Sequence, residues 1–111
     1  MEYEDIICLK QMVEAEQFLE DNGIKVNQDY LLKCVEYIVD NYGSQDILAE
    51  WIILNYLIVY YPKQDDALVT KGYRLIKNMG TIIEDELYLY MESCAEAFDT
   101  SFENVYILCT S

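Results

Sequence analysis

Apolar residues recur every three or four positions along most of this chain, the spacing that places them on one face of an α-helix. The first such stretch runs from about Glu4 to Glu20 and meets Asp21-Asn22-Gly23, where Gly23 suits the position just past a helix C-terminus. A second stretch follows Asn27, a residue type that caps helix N-termini, and Gly43 ends it. The pattern therefore predicts two helices at the start of the chain.

The most apolar stretch follows, and it predicts a buried third helix. Ser44 is a suitable N-cap for it, and the helix is expected to end before Pro62, because the residue preceding a proline is disfavoured in the α conformation. Residues 63–66 form a polar loop. A fourth helix is then predicted from about Ala67 to Met79, where Gly80 follows.

Capping sequences mark the last two helices. Thr81-Ile82-Ile83-Glu84 fits a capping box that begins a fifth helix, which extends to Phe98. Thr100-Ser101-Phe102-Glu103 repeats the pattern before a short final helix. The short connections are typical of neighbouring helices in a bundle. We therefore predict an all-α fold, a compact bundle of five to six antiparallel helices that forms a single domain over residues 1–111.

An α+β fold is the alternative that this pattern leaves open. Residues 51–61 are rich in Ile, Val and Tyr, residue types that favour strands. Val105-Tyr106-Ile107-Leu108 has the composition of a short edge strand at the C-terminus.

The composition combines enough apolar residues for a large core with a strong excess of acidic residues. Of the 111 residues 53% are hydrophobic, while 21 Asp and Glu face only 7 Lys and Arg, for a net charge of -14. The apolar content argues against disorder, which normally accompanies low hydrophobicity. The excess negative charge therefore lies on a folded surface that repels itself, and it disfavours direct binding to nucleic acid.

One residue type that carries much of enzyme catalysis is missing from this chain. It contains no histidine, the usual general acid or base near neutral pH and the usual partner of a nucleophilic Cys or Ser. Phosphate-binding and calcium-binding loop motifs are missing as well. We predict a protein that is not an enzyme and that has no catalytic residues, no metal site and no cofactor.

Four cysteines, Cys8, Cys34, Cys94 and Cys109, are spaced without a C-x-x-C pair. Cys8 and Cys34 lie among apolar residues, as buried free thiols do. We predict reduced core cysteines in a cytoplasmic protein, with disulfides in a secreted protein as the alternative. The acidic N-terminus does not resemble a signal peptide, and the apolar run of residues 47–61 is too short to span a bilayer.

Negative charge is concentrated in segments. No basic residue follows Lys77, yet acidic residues continue to Glu103. Glu92 and Glu96 are four positions apart, a spacing at which like charges repel across one helical turn. Such rows are typical either of a solvated face or of a surface that binds a basic partner. Lys71, Arg74 and Lys77 form a basic strip on the fourth helix, which we expect to pair with an acidic neighbour.

Tyrosine is over-represented, with 11 in the chain. Some of these rings are expected in the core with their hydroxyl groups near the surface. Exposed tyrosine beside carboxylates is typical of a protein-binding hot spot. A genome whose base composition favours tyrosine codons is the other explanation.

Residues 57–66, Leu-Ile-Val-Tyr-Tyr-Pro-Lys-Gln-Asp-Asp, resemble a segment of the colicin DNase immunity proteins. Those are small acidic helical proteins that inactivate a basic nuclease. In that family a Tyr-Tyr-Pro sequence precedes an acidic loop and supplies tyrosines that contact the toxin. The resemblance implies that Tyr60 and Tyr61 contact a partner, with Asp65 and Asp66 beside them.

We therefore predict a non-enzymatic, acidic protein-binding module, an immunity or inhibitor protein that docks on a basic, nucleic-acid-handling partner. The alternative is a structural subunit, a helical homo-oligomer whose acidic surface only keeps it in solution. No membrane contact is expected, and the oligomeric state stays open. The predicted partner-binding residues are Tyr60, Tyr61, Asp65, Asp66, Glu84, Asp85, Glu92, Glu96, Asp99 and Glu103.

Overall fold

The structure, a computed structural model, describes residues 3–42, 49–79 and 84–111, with side chains from residue 9 onward and as far as residue 41 in the first of these ranges. In these ranges the chain forms six α-helices and no strand, which confirms the predicted all-α fold. Residues 51–61 and 105–108, the alternative strands, are helical. The helices are α1 Tyr3–Asp21, α2 Gln28–Tyr42, α3 Ala49–Asn55, α4 Val69–Asn78, α5 Glu84–Ala97 and α6 Phe102–Thr110.

Helix α1 ends as its sequence predicts. Gly23 has a φ of 78°, which is the left-handed conformation that glycine adopts without steric cost. The Gly23 N–H donates to the Glu20 carbonyl and the Ile24 N–H donates to the Leu19 carbonyl, both at 2.9 Å. This is the Schellman arrangement, and the buried side chains of Ile24 and Leu19 complete it.

Asn27 caps α2, also as predicted. Its side-chain oxygen accepts from the main-chain N–H groups of Asp29 at 3.0 Å and Tyr30 at 3.2 Å. The Asn27 N–H donates to the hydroxyl oxygen of Tyr56 at 3.0 Å, so a fully buried ring at the end of α3 holds the start of α2. The predicted stops at Gly43 and Gly80 and the predicted caps at Ser44 and Thr81 lie outside the described residues.

The chain divides into two compact units, an N-terminal unit, Met1–Tyr56, and a C-terminal unit, Leu57–Ser111. In the N-terminal unit α1, α2 and α3 pack on one another. Ala15 and Leu19 from α1, Leu31 and Cys34 from α2 and Ile52 from α3 have no exposed surface, and they form the centre of this core. In the C-terminal unit α4, α5 and α6 pack on one another.

The segment before Pro62 departs from the predicted regular helix. The α-helix stops at Asn55, a π-helical turn covers Tyr56–Tyr60, and a 3₁₀ turn covers Tyr61–Lys63. Pro62 lies in the first positions of that 3₁₀ turn, where its missing N–H is not needed. A proline inside a regular α-helix would instead lack a hydrogen bond and clash with the preceding turn.

A second 3₁₀ turn, Asp66–Leu68, leads directly into α4. The Asp65 carboxylate caps it by accepting from the Ala67 N–H at 2.9 Å. The core of the C-terminal unit is aromatic at its centre, where Tyr61 and Tyr90 have no exposed surface. The Tyr90 hydroxyl donates to the Val69 carbonyl oxygen at 2.7 Å, which joins α5 to the start of α4.

Candidate functional site

One face of α5 is entirely exposed and carries acidic residues in a row. Glu84, Tyr88, Glu92 and Glu96 follow one another at intervals of four, so they line up along the helix surface. We call the three carboxylates among them, Glu84, Glu92 and Glu96, the acidic row. Asp85 and Leu89 lie beside this row and are also exposed. The opposite face is buried and packs on the rest of the C-terminal unit through Tyr90, Met91, Cys94 and Ala95.

A row of exposed aromatic rings extends from α5 to α6. The ring centroids of Tyr88 and Phe102 are 6.0 Å apart, and those of Phe102 and Tyr106 are 6.2 Å apart. Their exposed fractions are 36%, 37% and 41%, so each ring keeps surface available to a partner. We call these three residues the aromatic row.

The turn between the two helices places Phe102 against Tyr88. Asp99 has a φ of 49°, and the N–H of Thr100 donates to the Ala95 carbonyl at 2.9 Å, which ends α5 with a second Schellman motif. Ser101 is then extended and caps α6 by accepting from the Asn104 N–H at 3.2 Å. Phe102 is consequently the first residue of α6.

This geometry corrects the predicted capping box at residues 100–103. The cap is Ser101 instead of Thr100, because Thr100 completes the turn that ends α5 and the Ser101 hydroxyl oxygen is the one that accepts from the Asn104 N–H. Asn104 takes the third helical position in place of Glu103, and its side-chain nitrogen donates to the Thr100 hydroxyl oxygen at 3.1 Å. Glu103 is left exposed beside the aromatic row.

The aromatic row lies in a negative electrostatic environment. The Tyr88 hydroxyl donates to a Glu84 carboxylate oxygen at 3.3 Å. The charge of Glu84 raises the pKa of Tyr88, and the hydrogen bond between them raises it further. Both effects extend the protonated form of the Tyr88 hydroxyl, which is a hydrogen-bond donor at neutral pH in any case, to higher pH.

On its other flank, α5 borders a shallow groove of about 270 Å³. Val59 and Lys63 line one side of the groove, and Ser93, Glu96 and Ala97 line the other. The structure therefore brings the predicted contact segment around Tyr60–Asp66 next to α5, with Glu96 shared between the groove and the acidic row.

Of the predicted contact residues in that segment, Tyr61 is not accessible. Its side chain is fully buried and Pro62 is buried with it, whereas Tyr60 is half-buried. The π-helical turn and the 3₁₀ turn direct Tyr61 into the core of the C-terminal unit, so this ring presents no surface to a partner. Asp65 and Asp66 are exposed.

The remaining predicted residues all reach the surface of the C-terminal unit. These exposed carboxylates border the aromatic row or continue the acidic row of α5: Glu84, Asp85, Glu92, Glu96, Asp99 and Glu103. Sequence reasoning missed Phe102 as a member of the site and placed it only in a capping sequence. Its spacing of four from Tyr106, beside an acidic residue, was the available signal.

The basic strip on α4 is also exposed, at Lys71, Arg74 and Lys77. The Lys77 ammonium lies 6.0 Å from the centre of the Tyr73 ring, so a cation–π contact occupies it. The predicted pairing of this strip with an acidic neighbour stays a prediction.

Three thiols are described, Cys34, Cys94 and Cys109, and all are free and buried, as predicted, whereas the side chain of Cys8 lies outside the described residues. Burial raises the pKa of Cys34 to about 12 and that of Cys94 to about 12. In the described ranges, no group of three or more Cys, Asp or Glu residues is arranged to hold a metal ion. No described helix has both the length and the apolar character needed to cross a membrane.

No protein-family model, curated protein or solved structure matches the chain. The resemblance of residues 57–66 to the colicin DNase immunity proteins therefore stays a prediction.

Proposed function

We propose that this chain is a non-enzymatic protein-binding module that inhibits or neutralises a basic, nucleic-acid-handling protein. In this proposal the docking surface comprises the aromatic row and the acidic row of α5. The observation that carries it is the juxtaposition of three exposed rings with exposed carboxylates on neighbouring helices. Such a surface offers apolar contact area at its centre and charge at its rim.

The rings would supply most of the binding free energy. Tyrosine and phenylalanine bury a large apolar area with little loss of conformational freedom, and aromatic anchors dominate many interfaces. The carboxylates would contribute mainly to speed and selectivity, because opposite charge steers a basic partner toward the surface. We therefore expect fast association that slows as salt is added.

Two carboxylates one helical turn apart, Glu92 and Glu96, support a partner that normally handles nucleic acid. Successive members of a helical row are about 5–6 Å apart at their Cβ atoms. The Lys and Arg side chains that neutralise phosphates in such a protein would meet a series of negative charges here. Occupation of those side chains would exclude the nucleic acid, which is the inhibitory step of the proposal.

The experiment begins with proteins retained from an extract of the source organism by the immobilised chain at low salt. Each retained protein is purified, and its affinity is measured for wild type and for two variants with equal charge loss. Glu92→Gln/Glu96→Gln removes two carboxylates from the acidic row. Glu14→Gln/Glu20→Gln, on exposed positions of α1, is the matched control.

The proposal requires a basic protein whose affinity falls at least about tenfold with the α5 variant and much less with the α1 control. It also requires that a DNA or RNA duplex compete with the chain for that protein. Equal losses for the two variants, or binding that is indifferent to salt, would remove the α5–α6 surface from the proposal.

A structural homo-oligomer is the second candidate, and exposed aliphatic side chains favour it. Ile107 and Leu108 on α6, and Leu9 and Val13 on α1, are each about half exposed or more. Sedimentation equilibrium of the wild type and of Ile107→Gln/Leu108→Gln distinguishes the candidates. A constitutive oligomer that this variant dissociates supports the structural role, whereas a monomer at every concentration supports the binding module.

A further inference from the structure

We infer that the segment of the partner that docks on the aromatic row is rich in arginine, whose guanidinium groups stack on the exposed rings while pairing with the bordering carboxylates. This inference rests on the proposed function and specifies the chemistry of the partner. It is based on the aromatic row, which is exposed on α5 and α6. The carboxylates that border this row indicate that the group bound there is a cation.

The rings are arranged to receive flat, cationic groups in succession. Tyr88 and Phe102 are inclined by 40°, and Phe102 and Tyr106 by 30°, so no ring fully covers the face of the next. In the described part of the chain, no lysine or arginine side chain lies over any of these three rings. Each of the three residues is more than a third exposed, so a cation from outside can reach the aromatic row.

Two other tyrosine rings of the chain already contact a cation from the chain itself. The Lys33 ammonium lies 5.9 Å from the centre of the Tyr30 ring, and the Lys77 ammonium lies 6.0 Å from that of Tyr73. Both distances fall at the limit within which a cation is attracted by the ring quadrupole, about 6 Å. The aromatic row presents the same chemistry, and no lysine or arginine among the described residues lies over its rings.

The carboxylates beside the rings select arginine over lysine. A guanidinium group is planar and weakly hydrated, so it stacks on a ring and still donates two parallel hydrogen bonds to a carboxylate. An ammonium group is compact and strongly hydrated, and it interacts with each group as a point charge. Carboxylates alone attract both cations, whereas carboxylates next to ring faces favour the flat one.

Glu84 and Glu103 are the acids best placed for this double contact. The Glu84 carboxylate is within hydrogen-bonding distance of the Tyr88 hydroxyl, so charge and ring occur together. Glu103 follows Phe102 directly and lies three positions before Tyr106, on the exposed side of α6.

The probes are octa-arginine and octa-lysine peptides, which carry equal charge. Their affinities for the full chain are measured by fluorescence anisotropy over a range of salt concentrations. We expect the wild type to bind octa-arginine about fivefold or more tightly than octa-lysine, because several ring contacts add to the shared charge attraction. Phe102→Leu/Tyr106→Leu should lower this ratio toward the value expected for carboxylates alone, which attract both peptides through charge.

Tyr37→Leu is the matched control, since this tyrosine is about half exposed on α2 of the N-terminal unit. It should leave the arginine-to-lysine ratio at the wild-type value. Circular dichroism verifies that each variant is folded, and Tyr106→Leu alone provides a milder change that should lower the ratio in part.

The outcomes separate this inference from the proposed function. If the arginine-to-lysine affinity ratio is unchanged in Phe102→Leu/Tyr106→Leu, the arginine inference is overturned. The proposed function does not depend on that ratio, but it requires that Glu92→Gln/Glu96→Gln bind both peptides more weakly than the wild type does. If that acidic-row variant binds both peptides as tightly as wild type does, the proposed docking surface fails as well.

Discussion

Gly72 lies on α4 where two buried tyrosine rings approach the backbone. A Cβ atom at this position would clash with the Tyr90 hydroxyl oxygen and would come within 2.8 Å of a Tyr61 ring carbon. Glycine is normally unfavourable inside a helix, so its presence here reflects the space that the rings occupy. The close approach also lets the Tyr90 hydroxyl reach the Val69 carbonyl one turn earlier.

Gly72→Ala should therefore destabilise the protein, although alanine is the better helix former. We expect a net loss of about 1–2 kcal/mol in the free energy of unfolding, because overpacking outweighs the gain in helix propensity. Urea denaturation measures it. At exposed Arg74, the matched comparison of Arg74→Ala with Arg74→Gly should favour alanine by about 1 kcal/mol.

A double-mutant cycle with Tyr90→Phe identifies the clash. By itself Tyr90→Phe removes one buried hydrogen bond and should cost about 1 kcal/mol. In the Gly72→Ala background it also removes the atom nearest to the new methyl group, so its cost should fall by at least about 0.5 kcal/mol. Strictly additive changes would contradict the close contact.

Cys34 makes a further residue-scale prediction, on alkaline stability. Its pKa is raised from 9.0 to about 12 in the folded protein, because burial penalises the thiolate. The unfolded chain releases this proton first, so the stabilisation is fully present below about pH 9 and is lost as the pH rises toward 12. Urea denaturation from about pH 7 to pH 11 should show stability falling.

Cys34→Ala should make that fall less steep, whatever its cost near pH 7, where the thiol is protonated in both states. The quantity to compare is therefore the slope of the free energy of unfolding against pH. The stability near pH 7 gives the cost of the substitution that is independent of pH. A variant whose alkaline slope equals that of the wild type would show that Cys34 does not contribute to it.

Helix ends are the features that the sequence predicts best at the scale of elements. Gly23 and Asn27 act as predicted because capping depends on the local backbone and on one side chain. The end of α5 is less obvious, since Asp99 takes the left-handed position that glycine usually occupies. The π-helical and 3₁₀ turns around Pro62 could not be predicted, because proline forbids a regular helix without specifying its replacement.

Asp99→Gly should stabilise the protein, because glycine adopts a positive φ without steric cost. We expect a gain of about 0.5–1 kcal/mol, reduced in part by the greater freedom of glycine in the unfolded chain. Asp99→Ala removes the same charge without relieving the backbone, so it should be less stable than Asp99→Gly. Thermal or urea unfolding of the pair separates backbone strain from charge.

At the scale of the whole molecule, charge is the dominant property. The net charge of -14 is carried by a chain of 111 residues, and no charged side chain is buried in the described residues. Like charges on such a surface repel one another and oppose folding. Added salt shortens the distance over which this repulsion acts.

Moderate NaCl should therefore raise the stability of the free protein. Between about 20 mM and 500 mM we expect a gain of about 1 kcal/mol in the free energy of unfolding, the sum of several like-charge pairs worth a few tenths each. Urea denaturation at each salt concentration measures it. Glu92→Gln/Glu96→Gln should show a smaller gain, and stability that falls with added NaCl would contradict the prediction.

The sequence by itself determined the all-α class, the end of α1, the start of α2 and the acidic character of the surface. These follow from periodicity, capping residues and composition, which act over a few neighbouring positions or over the whole chain. The tertiary structure decided which tyrosines are accessible: it buries Tyr61 and Tyr90 and leaves Tyr88 and Tyr106 exposed. It also placed Phe102 between the latter two rings. Tyrosine suits both a core and a surface, so only the packing of one helix on another determines its place.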